Sequence, residues 1–69
     1  MIKKNTTAIF IEGNNKIVEE LIGGIPLSVG EIMIVKKNGK KINWKVIDKK
    51  GEYNDNEQIV NITYTFKKD

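Results

Sequence analysis

The sequence predicts an all-β protein, a single small β-barrel domain over residues 1–69, in which a five-stranded antiparallel meander curls into an SH3-like open barrel. Three observations predict it. Apolar residues recur with a period of two along most of the chain. Glycine and asparagine punctuate those runs at turn positions. With 69 residues and neither cysteine nor histidine, the chain has only one compact apolar cluster, or a partner subunit, to stabilise it. An OB-like barrel, or an α+β arrangement with a short helix at 16–22, are the alternatives that the pattern leaves open.

The first strand is read from "TTAIFIE", rich in β-branched and aromatic residues, which ends at "GNN". Gly13, Asn14 and Asn15 all tolerate positive φ, so a hairpin follows, with Lys16–Ile22 as its return strand. Ile17, Val18, Leu21 and Ile22 also sit at helical spacing, with an asparagine cap and a glycine stop. A strand is preferred, because a seven-residue helix would be short and would leave the first strand without a neighbour.

After Gly23-Gly24 comes "IPLSVGEIMIV", in which Pro26 fixes φ and pushes Ile25 towards an extended conformation, and Gly30 permits the geometry of a strand entry. This stretch reads as the corner where the sheet folds over, with Leu27 either plugging the barrel end or facing a partner. Glu31–Lys37 is the third strand and Asn38-Gly39 the strongest short-range hairpin signal in the chain. On the returning strand Ile42, Trp44 and Val46 point to the core, while Lys41, Asn43 and Lys45 point outward. The polar segment "KKGEYNDNEQ" reads as a long loop or an extended hairpin tip. In the last strand Val60, Ile62, Tyr64 and Phe66 share one face, and Asn61, Thr63, Thr65 and Lys67 the other.

The stretch "IPLSVGEIMIV", continued by "NGKKINWKVID" and "VNITYTF", resembles a pattern of small uncharacterised bacterial and phage-associated β-proteins. In that pattern a hairpin precedes I-P-x-x-G-[DE] and a strand. Three residues separate Pro26 from Gly30 here where the pattern has two, and Leu27 stands where it has a basic residue. The resemblance implies an SH3-like small barrel and a mobile-element or host-interaction setting, and it assigns no functional residue.

The inventory of side chains argues against an enzyme. Carboxylates, lysines, hydroxyls and the single Ser28 remain as bases or nucleophiles, and nothing in the sequence can activate Ser28, whose surroundings lack the G-x-S-x-G pattern. "EYNDNE" offers oxygen ligands without the order of a calcium loop, and the glycines do not form a phosphate-binding motif. No catalytic, cofactor-binding or metal-binding residue is therefore expected. The composition allows two binding roles. Apolar residues on both faces of the first three strands favour a protein partner or a homodimer, with Leu27, Met33 and Val35 as contact residues. Lys41, Asn43, Lys45, Thr63, Thr65 and Lys67 would form an outward polar face able to hold nucleic acid weakly and without sequence preference. The formal charge of +3 comes from twelve lysines and no arginine, which permits such a partner without indicating it. Small secreted domains usually rely on disulfides, so a cytoplasmic setting is expected. The apolar stretch at the N-terminus, interrupted at Glu12, is too short for a membrane span.

Overall fold

A computed structural model describes residues 2–69. Five strands, β1 (Lys3–Glu12), β2 (Asn15–Ile22), β3 (Ile32–Lys37), β4 (Lys40–Asn54) and β5 (Ile59–Lys68), form one sheet, curled into a half-barrel. The segment 16–22 is strand, not helix. Two connections are two-residue turns. Gly13 has φ +59° while Asn14 keeps negative φ, the type II′ pattern; Asn38 (φ +53°) and Gly39 (φ +78°) are both left-handed, the type I′ pattern. The polar segment after Lys49 is mostly strand, and β4 and β5 are joined by residues 55–58 alone.

The strand order is β2-β1-β5-β4-β3, so the sheet is mixed and not an antiparallel meander throughout. Strand direction does alternate along the chain, as a meander requires. Five is an odd number, however, so when the curling sheet brings the first strand beside the last the two must run parallel. The β1–β5 pairing extends from Lys3↔Ile59 to Ile11↔Lys67. The break in the ring falls between β2 and β3, at the stretch read as the corner where the sheet folds over. Nine residues, 23–31, separate β2 from β3, too many for a two-residue turn, and Pro26 has no N–H to give to a ladder. They form a strap.

The strap is tied down over the concave face. The Tyr64 hydroxyl donates to the Ile25 carbonyl and accepts from the Leu27 N–H (2.9 Å), and the Thr6 hydroxyl donates to the Gly23 carbonyl (2.7 Å). At its far end the Gly30 N–H donates to the Val46 carbonyl, and the Val46 N–H to the Glu31 carbonyl. Gly30 holds φ +98°, a conformation that side chains with a Cβ rarely adopt. Beneath the strap lies the core: Ala8, Phe10, Trp44, Val46, Tyr64 and Phe66 are buried, with Leu21, Leu27, Met33, Val35, Ile42 and Ile62 packed against them. Phe10 meets Trp44 edge-on, with ring centroids 4.9 Å apart, and stacks on Phe66 at 5.0 Å. Such pairs add about 0.5–1.5 kcal/mol each to the burial of their area. No helix in the described residues is long and apolar enough to cross a membrane.

Candidate functional site

In a β-sheet, residues facing each other in register share a face, so the pairings sort the side chains into two sets. The concave set runs Leu21, Glu19 and Ile17 on β2, Thr6, Ala8 and Phe10 on β1, Ile62, Tyr64 and Phe66 on β5, and Trp44 with Met33 at the β4–β3 end. All five aromatic rings lie on this side, including Tyr53, which faces Val60 near the β4–β5 tip.

The convex set is mixed. Lys45 faces Lys67, as expected of neighbouring strands, but β5 ends opposite Trp44, so Lys41 and Asn43 lie beyond it and face Lys36 and Ile34 of β3. A β-bulge at Ile47 shifts the register, so Thr65 faces Asp48 and Thr63 faces Lys50. The six residues Lys41, Asn43, Lys45, Thr63, Thr65 and Lys67 are therefore on one face but do not form one patch. Isoleucines and an aspartate interrupt them. The bulge left no trace in the sequence, because Ile47 looks like any other residue of a strand.

The three residues expected as protein contacts, Leu27, Met33 and Val35, are half-buried and packed against the core instead. Leu27 plugs the concave face under the strap. The uncovered apolar residues are others. Val18 (57% exposed) faces Ile9, Ile22 stands fully exposed at the end of β2, and Ile32 and Ile34 (59%) line the β3 edge. The two-sided apolar runs "KIVEELI" and "EIMIV" signalled these second apolar sets. They could not say which set the core would take.

Two clefts open on the concave side, the second of them against the strap. The first, between the two edge strands, has Phe10 and Trp44 as its floor, Ile17 and Val35 as walls, and Glu19 and Lys37 on its rims. The second, ≈ 350 Å³, is formed by Ile25, Pro26, Ile62 and Tyr64 with Lys4 and Lys49 beside them. The Lys49 ammonium lies 5.6 Å from the centre of the Tyr64 ring, a cation–π contact on an otherwise apolar wall. Ser28 is in the strap, its N–H donating to the Glu31 carboxylate (3.2 Å) and its carbonyl accepting from the Glu31 N–H (3.0 Å). Its surroundings are those of a turn.

Among the described residues, two strand edges carry no neighbour: the outer edge of β2 and the outer edge of β3. An unpaired edge presents a row of backbone donors and acceptors, and is the part of a sheet most ready to take a further strand. No family model, curated protein or solved structure matches the chain.

Proposed function

We propose that the chain is a non-catalytic interaction module whose partner is protein, either a second copy or a different chain. One observation carries this reading: apolar side chains stand uncovered on the two unpaired edge strands, Val18 and Ile22 on β2 and Ile32 and Ile34 on β3. Exposed β-branched residues beside an unpaired edge are what proteins otherwise avoid, with charge, proline or a covering loop. A cysteine-free chain of this size fits a reducing, cytoplasmic setting, in which such a partner would be met.

Nucleic-acid binding through the convex lysines is the weaker reading. Strand surfaces that hold single strands set aromatic rings among the cations, and here every ring is on the other face. The test is photo-crosslinking in the native cell, with the reactive residue placed at Val18, at Ile34 or, as a control, at Glu57 in the β4–β5 turn. The proposal expects protein adducts at Val18 or Ile34 and none at Glu57. Absence of protein adducts at both edge positions would refute it.

A further inference from the structure

We infer that the partner of the β2 edge is a second copy of the chain, docked antiparallel across a two-fold axis at Val18, so that two half-barrels join into one ten-stranded sheet. This rests on the reading of the chain as a protein-binding module and names the occupant of one edge.

Backbone geometry comes first. The two-residue turn Gly13-Asn14 closes on the pair Glu12↔Asn15, and two-residue hairpins close on a pair that exchanges both backbone hydrogen bonds. Hydrogen-bonded and non-bonded pairs alternate along an antiparallel ladder. Asn15, Ile17, Glu19 and Leu21 therefore direct their N–H and C=O groups to β1, and Lys16, Val18, Glu20 and Ile22 direct theirs to the unpaired edge. A strand arriving at that edge must bond to these residues.

Side-chain chemistry then selects the register. Lys16, Val18 and Glu20 are also convex-face residues, since they face Ile11, Ile9 and Thr7 of β1. In an antiparallel pair of β2 strands centred on Val18, Val18 meets its own copy and Lys16 faces Glu20 of the other chain on both sides of the axis. Three bonded pairs, two of them between opposite charges, lie on one face. Sliding the register by two residues either way puts Val18 against Lys16 or Glu20 and loses both charge pairs. Lys16 and Glu20 are exposed and have no ion-pair partner among the described residues, where the one ion pair is Lys68 with Glu12. The joined sheet also sets the Ile9–Val18 contact of one copy against that of the other, covering Val18.

The β3 edge lacks this self-complementarity. Between Ile32 and Lys37 it carries two lysines and no acid, and Lys40 and Lys41 stand next to it across the Asn38-Gly39 turn. Lysine on an edge strand discourages pairing.

Sedimentation equilibrium over a concentration series tests the inference, using the full chain, the single variants Lys16→Glu and Glu20→Lys, their equimolar mixture, and the double variant. Circular dichroism and Trp44 fluorescence check that each variant is folded. The wild type is expected to dimerise, and each single variant to dissociate with a constant raised about tenfold or more, because two attractive pairs become repulsive. The mixture restores association as a heterodimer, since every Glu–Lys facing is regained, and the double variant restores it as a homodimer. In parallel, hydrogen exchange at the Lys16, Val18 and Glu20 amides of the wild type slows as its concentration rises, while that at Ile34 and Lys36 does not. A wild type that stays monomeric at every concentration would overturn the second copy as partner, and leaves the broader reading to the crosslinking test. A dimer indifferent to the single variants, or not regained by mixing, would overturn β2 as its seat.

Discussion

The concave and convex faces of this sheet are built from the same strands by the same alternation, yet they do different work. Phe10 and Ile9 are adjacent in β1. Phe10 touches Trp44 and Phe66 beneath the strap, whereas Ile9 lies in an apolar row with the half-exposed Val18. In β3, Met33 and Val35 pack on the core, and Ile32 and Ile34 stand in solvent. A single five-stranded sheet with one strap has enough chain to cover one face only. Apolar residues on the second face therefore stabilise the monomer little, and it is the proposed partner chain that would bury them.

Substitutions on the two faces should differ in size accordingly. The largest effect is expected from Phe66→Ala, which removes a ring that contacts both Phe10 and Tyr64. Core Phe→Ala changes cost about 3–5 kcal/mol, which is as much as one small core supplies at this chain length. Loss of a cooperative urea transition is the expected result.

Next comes Tyr64→Phe. It keeps the ring but leaves the Ile25 carbonyl and the Leu27 N–H without the hydroxyl that joins them, at a cost of about 1–3 kcal/mol. The strap amides should then exchange hydrogen faster than those of the β4–β5 ladder. Gly30→Ala is expected to cost less, about 1–2 kcal/mol. Space for a methyl group exists there, and the cost comes only from holding φ at +98°. Chemical denaturation would rank the three.

Much of the concave face was legible in the sequence. The presence of five strands, the Asn38-Gly39 turn and the inward set Trp44, Val46, Tyr64 and Phe66 follow from alternation and turn chemistry, because each is decided within a few residues; the run of β4 on to Asn54 does not, since its second half is polar. What the sequence hid depends on contacts between distant segments. Alternation says which way Thr65 points but not that its neighbours are Ile9 on one side and Asp48 on the other, so the parallel β1–β5 pairing and the scattered lysines went unseen. The strap anchor was half visible: a core-facing tyrosine needs a partner for its hydroxyl, and that rule could have prompted a search among the carbonyls beside Pro26. Leu27 was expected either to plug the barrel end or to face a partner because it is apolar at a corner, and Met33 and Val35 were expected at a contact surface because both sets of apolar residues in their strand looked alike. Only the strap, lying on one of the two faces, separates them.

The division of labour between the faces is tested most directly by urea unfolding of a variant carrying Val18→Thr, Ile32→Thr and Ile34→Thr, at a protein concentration low enough to keep the chain monomeric. Threonine preserves the β-branched shape on a strand while removing the exposed apolar surface. Surface changes of this kind stay within about 0.5 kcal/mol each. The account predicts a cooperative transition close to that of the wild type. A variant that unfolds without a cooperative transition would contradict it, and would place these residues within the fold's own core.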